Sequence, residues 1–213
     1  MKISFLGHAC FLIESSNKTT IITDPYEPNS YSGAVKYEPI NFKPDIVTVS
    51  HSHFDHNYTK EMKNSYIVDK EGVFKIKDLQ IEGILSFHDE KNGRERGKNI
   101  IFIINVDNLR LAHFGDLGTS NLDYSRLKNL DIALIPVGGT FTIDAKTATE
   151  IIKKINPKIT IPMHYKTPKL DFEIDKVDRF LELNKDFQKE KILEVNSSNI
   201  DSFKRVVVLD YLR

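Results

Sequence analysis

Three histidines and an aspartate crowd into His51-Ser52-His53-Phe54-Asp55-His56, directly after the apolar stretch 45–50, which reads as a strand. Alternate residues of an extended segment point to the same side, so His51 and His53 converge on one ion while Asp55 and His56, past the turn, reach a second. A single histidine is more often a hydrogen-bonded core or surface residue than a ligand. Four ligand-type side chains at this spacing and at a strand end leave metal binding as the simplest common cause. Imidazole with carboxylate suits zinc, iron or manganese, and the lack of cysteine beside them argues against a closed structural zinc site.

The rest of the chain reads as many short strands followed by a few late helices. Residues 2–6, 10–14 and 19–23 are apolar or β-branched runs separated by Gly-His and Ser-Ser-Asn-Lys turn signals, and three more strand-like runs fall between 66 and 86. Segments 99–106 and 109–114 flank Asp107-Asn108, a hairpin signature, and the apolar run 131–137 is expected to be a strand covered on both faces. Residues 26–41, with two prolines and several aromatics, form an irregular loop of a length that is usually functional, and 26–37 is a candidate lid. Helical spacing appears over 144–155, with Asp144 as cap and Asn156-Pro157 as stop, and over 175–191, where Val177, Phe180, Leu181, Leu183 and Phe187 make a stripe. Strands are expected at 158–162 and 203–209. Sheets covered by helices, an α/β or α+β layered domain, follow from this order.

At 213 residues the chain suits one domain, 1–213, with no repeat and no linker. Thirty basic and thirty acidic side chains cancel, so no overall field favours nucleic acid or an anionic membrane. No apolar run approaches a membrane span, and the N-terminus lacks a signal-peptide stretch, which makes a cytoplasmic protein the expectation. The one cysteine, Cys10, lies in an apolar run and reads as a buried small hydrophobe. A homo-oligomer is left open.

The cluster resembles the HxHxDH signature of the metallo-β-lactamase superfamily, and further matches follow in order along the chain. Thr23-Asp24-Pro25 is similar to the first motif, Ser86-Phe87-His88-Asp89 to the third, Ala112-His113-Phe114-Gly115-Asp116 to the fourth and Ile161-Pro162-Met163-His164-Tyr165 to the fifth. The resemblance implies a four-layer αββα sandwich, two mixed β-sheets flanked by helices. It also implies two divalent metal ions, zinc first with manganese or iron as alternatives. His51, His53 and His88 would take one, Asp55, His56 and His164 the other, and Asp116 would bridge. Asp24 would support a ligand histidine from behind, and His113 would be a supporting or core residue. Gly7-His8-Ala9-Cys10-Phe11 resembles the opening of the subgroup that includes L-ascorbate-6-phosphate lactonase, where a histidine lies near the active site, so His8 is assigned to substrate binding.

The function so implied is hydrolysis of an ester, lactone or phosphodiester bond of a small cytoplasmic metabolite by a hydroxide held between two metals, with Asp55 as the catalytic carboxylate. Arg94 and Arg96, in the loop after His88, are candidates for clamping a substrate phosphate or carboxylate; a solvated surface loop is the alternative. The turn 136–142 would either add backbone donors at the site or use its glycines only for the turn. Penicillin cleavage and nuclease activity are disfavoured, the first by the missing export signal, the second by the missing basic surface. A redox di-iron role would fit a carboxylate where His53 stands. The competing class is a non-catalytic metal- or metabolite-binding protein that retains the fold.

Overall fold

The computed structural model describes residues 1–212, and its two β-sheets account for most of the architecture. The first sheet contains β1 (Lys2–Gly7), β2 (Cys10–Glu14), β3 (Thr20–Thr23), β4 (Ile46–Thr48) and β5 (Tyr66–Val68), with β13 (Leu193–Glu194) outside β1. The second contains β6 (Gly72–Ile76), β7 (Leu79–Phe87), β8 (Lys98–Val106), β9 (Leu109–His113), β10 (Ile132–Pro136), β11 (Ile159–Met163), β12 (Phe187–Glu190) and β14 (Val206–Leu209), in the order β12-β14-β11-β10-β9-β8-β7-β6. Both sheets are mixed. In the first, β1, β2 and β3 run antiparallel and β3, β4 and β5 parallel. In the second, β6 to β9 alternate in direction while β9, β10, β11, β14 and β12 are parallel.

This topology decides where the site can be. Counting directions across each sheet, β1, β3 and β4 point the same way, as do β7, β9, β10 and β11. The segments following their carboxyl ends therefore gather along one edge, the usual place for ligands in open α/β sheets. Period-two alternation fixes the two faces of the first sheet: Ile3, Phe5, Ile21 and Ile46 face the second sheet, while Leu6, Ile22 and Val47 face outward. The outer face is covered by loop segments carrying Tyr26, Val35, Tyr37 and Leu170 rather than by a long helix. Cys10 is buried there, and burial followed by the charge of Asp24 pushes its thiol pKa well up, as suits an inert hydrophobe.

Within the loop 26–41 the turn α1 (Ser30–Gly33) has Tyr31 and Ser32 in the left-handed region, at φ 51° and 57°. The hairpin at Asp107-Asn108 forms as expected, both residues having positive φ. The helix α2 (Ala145–Ile155) starts at Asp144, whose side chain accepts a hydrogen bond from the Thr147 backbone N–H, and it buries Ala148, Ile151, Ile152 and Ile155 in the main core. No helix among the described residues is long and apolar enough to cross a membrane.

The expected helix over 175–191 is corrected. Helix α3 covers only Asp178–Leu183, burying Phe180 and Leu181, while Leu183 and Phe187 stay 53% and 37% exposed. Asn184 ends it: its side-chain amide donates to the Phe180 carbonyl and to Thr149 Oγ1 of α2, at 2.9 and 2.8 Å. Beyond it β12 pairs in parallel with β14, so an unfilled sheet edge outweighs the helical spacing of the sequence. Replacing Asp144 by Ala removes the cap of α2 and is expected to cost about 1 kcal/mol of stability. Chemical denaturation measures this, and an unchanged midpoint would contradict the capping role.

Candidate metal centre

The carboxylate of Asp24 lies beneath the site. It follows β3 with φ of 40°, a left-handed conformation held by its N–H donating to the Thr48 carbonyl at 2.8 Å. Its Oδ1 accepts from the Ser50 backbone N–H at 2.8 Å, and its Oδ2 accepts from the Ser50 hydroxyl at 2.5 Å and lies 3.0 Å from His56 Nδ1. Ser50 Oγ is 2.9 Å from His51 Nδ1. One buried carboxylate thus orients two histidines, His56 directly and His51 through a hydroxyl, so that each turns its Nε2 toward the centre.

The expected ligands come together in two groups. His51, His53 and His88 converge with their ligand atoms all within 4.8 Å of one another, His51 Nε2 and His53 Nδ1 being 3.0 Å apart. Asp55, His56 and His164 form the second group within the same limit, and His8 joins them. Asp116 stands between the groups: its Oδ2 is 3.2 Å from His56 Nε2 and from His164 Nε2, 3.3 Å from His88 Nε2 and 3.8 Å from His51 Nε2. His164, like Asp24, has positive φ, at 51°.

Backbone contacts aim Asp116. Its N–H donates to Asn99 Oδ1 at 2.9 Å, and a Cβ on the preceding Gly115 would come within 2.3 Å of that same oxygen. Gly115 also has φ of 54°, so both space and conformation require glycine there. His113, expected from the sequence as a supporting or core residue, is fully buried beside this turn. Its Nε2–H donates to the Ala9 carbonyl at 2.8 Å while Nδ1 accepts from the Gly115 N–H at 3.2 Å, a neutral ring committed at both nitrogens. Gly138 meets the opposite side: a Cβ there would lie 2.2 Å from the His164 carbonyl oxygen, so this glycine serves the close approach of the backbone at His164.

The donor set fits cations. His56 Nε2 and Asp116 Oδ1 are buried with no hydrogen-bond partner among the described residues, and leaving such atoms bare in a dry interior is costly. Burial, helped by the neighbouring His56, lowers the His51 pKa to about 3 and keeps it neutral, the form that ligates. At His56 burial acts the same way, but the carboxylates of Asp116 and Asp55 outweigh it and hold the pKa well above the usual value. Burial pushes Asp116 and Asp55 upward, and the surrounding histidines overcome it, leaving both carboxyls below their usual range and ionised. Imidazole nitrogens beside two carboxylates, with no thiolate among them, make a harder set suited to zinc, manganese or iron.

The residues expected at the substrate are His8, Arg94 and Arg96. His8, assigned to substrate, does not line the cavity: it is 1% exposed, has its ring centre 4.2 Å from that of His164 at a tilt of 41° and puts Nε2 3.0 Å from Asp55 Oδ2. Burial and then His164 lower its pKa to about 4, so a neutral His8 donates to Asp55 and holds it in place. Arg96 lines the cavity above the ligands; Arg94 does not and lies exposed on the same loop. Asp89 has a role that the sequence reading missed. Its carboxylate accepts the backbone N–H groups of Lys91, Gly93, Glu95 and Arg96 at 2.8, 2.9, 3.0 and 2.8 Å. Desolvation opposes ionisation there, yet the four donors hold its pKa down at about 2. An aspartate before Asn-Gly turn residues was the available signal.

If Asp24 aligns His51 and His56, then Asp24→Asn, which cannot accept from every donor now on the carboxylate, is expected to weaken metal retention about 10- to 100-fold. Chelator titration of the metal-loaded protein measures it. The same midpoint in both proteins would contradict the role.

Comparison with known proteins agrees with this geometry. A family model described as a beta-lactamase superfamily domain matches residues 2–164. The chain is 32% identical over 201 residues to a UPF0173 metal-dependent hydrolase of Pelotomaculum thermopropionicum, covering 78% of this chain and 85% of that one. It is 30% identical over 193 residues to a UPF0173 metal-dependent hydrolase of Thermoplasma acidophilum, covering 78% and 84%. A Thermotoga maritima crystal structure, described as a candidate Zn-dependent hydrolase of the metallo-beta-lactamase superfamily, superposes with a TM-score of 0.78 at 33% identity, over 98% of this chain and 97% of that one. The chain therefore belongs to the metallo-β-lactamase superfamily and, within it, to the UPF0173 metal-dependent hydrolases.

Proposed function

We propose that this protein, acting as a single domain in the cytoplasm, hydrolyses an ester, lactone or phosphodiester bond of a small metabolite with two divalent cations, zinc ahead of manganese or iron. The observation that carries the reading is the placement of Asp116 Oδ2 between two convergent ligand groups at the base of one cavity. Two cations held there would lower the pKa of a shared water and polarise the bond to be cut. His53 supports hydrolysis over di-iron redox chemistry, since a nitrogen donor stands where a carboxylate would be wanted. The composition, with one buried cysteine, suits a reducing compartment. Kinship with the ascorbate-phosphate lactonase subgroup rests on the Gly7-His8 opening alone.

The chain's own groups divide the remaining work. Asp55 is the catalytic carboxylate: His8 holds Oδ2, and the Tyr31 hydroxyl donates to Oδ1 at 3.2 Å. Held on both sides and ionised, it can orient a water and accept its proton. Hydrolysis then adds the water oxygen to the acyl carbon or phosphorus, breaks the bond to the leaving oxygen and returns a proton to that oxygen. Phe141 and Phe172 line the cavity beside these groups and reduce competing solvent there.

Metal analysis of protein purified without added metal is expected to give close to two equivalents. His53→Ala is expected to lose metal and hydrolysis of model esters, lactones and phosphodiesters together. Little metal in the wild type, or activity unaffected by the substitution, would sink the two-metal hydrolase reading and leave a binding protein on this fold.

A further inference from the structure

The cavity above the ligands has a volume of about 340 Å³, at the small end of the roughly 300–1,000 Å³ typical of small-molecule sites. Its wall away from the ligands is not polar. Tyr31 and Phe172 meet edge to face at 5.4 Å and 82°, and Phe172 meets Phe141 in the same way at 5.8 Å and 71°. The arc ends at Arg96, whose guanidinium lies 5.9 Å from the centre of the Phe141 ring. Tyr31 and Phe141 remain 44% and 37% exposed, so apolar ring surface is left for something to cover.

Among the charged residues of its loop, Arg96 is the one that lines this cavity. Lys91 pairs with Glu95, whereas the guanidinium of Arg96 meets no carboxylate among the described residues. Its backbone N–H is tied to Asp89, next in sequence to the ligand His88, so the loop that carries it is anchored to the metal centre. Two divalent cations against the carboxylates of Asp55 and Asp116 would leave the cavity floor positive, and an unpaired guanidinium at its rim adds to that field. A neutral apolar substrate would waste this field. A polar, ring-free anion would leave the aromatic arc bare.

We propose that the cavity binds a small amphiphilic anion, an apolar or aromatic body seated on Tyr31, Phe141 and Phe172, with its carboxylate or phosphate paired to Arg96. The inference rests on the hydrolase reading and supplies its substrate class. Arg96 contributes a two-pronged donor that fits either oxyanion, and Asp89 is a positioning residue acting through the loop.

Two measurements on the metal-loaded protein test it, one with turnover and one without. The first compares 4-nitrophenyl hydrogen glutarate with the uncharged 4-nitrophenyl pentanoate of the same acyl length. In Arg96→Ala, kcat/KM for the charged ester is expected to fall about 10- to 100-fold, with a smaller fall in Arg96→Lys, while the uncharged ester changes little. The second is calorimetric binding of phenylacetate and phenyl phosphate, which separates carboxylate from phosphate recognition. Arg96→Ala is expected to weaken the preferred anion at least about tenfold, and Phe141→Ala to weaken phenyl phosphate more than inorganic phosphate. Equal losses on both esters, or anion binding unaltered in Arg96→Ala, would overturn the assignment even with hydrolysis intact. If the wild type hydrolyses neither ester, the hydrolase reading is what suffers, and the calorimetric comparison still decides the role of Arg96.

Discussion

A buried carboxylate surrounded by donors organises this protein. Asp24 has no exposure, accepts from Ser50 twice and contacts His56, and through the Ser50 hydroxyl it also fixes His51. A charge in that setting is tolerable only if its hydrogen bonds are complete. The positive φ at Asp24 is held by the parallel pairing of β3 with β4, so sheet register, backbone strain and the orientation of two histidines form one chain of dependence. Were β4 to slip by one residue, His51 and His53 would turn to the opposite side and the chain would break at its first link.

Strand direction extends this arrangement to the other candidate ligands. Ends of β4, β7, β9 and β11 lie along one edge because the strands run the same way, and each contributes a side chain to a centre only a few ångströms across. Close packing then sets the fine positions. Asn99 and Gly115 allow Asp116 to approach, Gly138 admits the backbone of His164, and His113 occupies its two nitrogens in supporting that arrangement. The stability of the sheets and the geometry of the site are therefore not separable, since the same hydrogen bonds serve both.

Around this centre the chain divides charge and apolar surface sharply. Histidines and carboxylates occupy the floor, aromatic rings one wall, and a single guanidinium the rim. The floor can polarise many kinds of bond, so chemistry alone does not select a substrate; one scaffold hosts many reactions. Under the substrate class proposed above, selection would fall to the wall and the rim: the turn at Tyr31, the loop after β10, the segment carrying Phe172 and the loop carrying Arg96.

The order and spacing of the ligand motifs were legible in the sequence because they are local. His51 to His56 carry their own periodicity, Asp116 follows a glycine at a strand end, and the cap at Asp144 and the turn at Asp107-Asn108 follow from residue chemistry. What remained hidden depended on distant segments. The stretch 187–190 looks helical until β14 offers it an edge, and His8 looks available to substrate until Asp55 and His164 close over it. Arg94 and Arg96 are indistinguishable as letters, and only the Asp89-centred loop turns one toward the cavity. Phe172 carries no local mark at all. By itself the sequence determined which side chains can hold metal and in what order they arrive, since covalent spacing sets those relations. Tertiary structure alone decided which groups meet, because contacts between remote residues depend on strand pairing and packing that no short window of residues encodes.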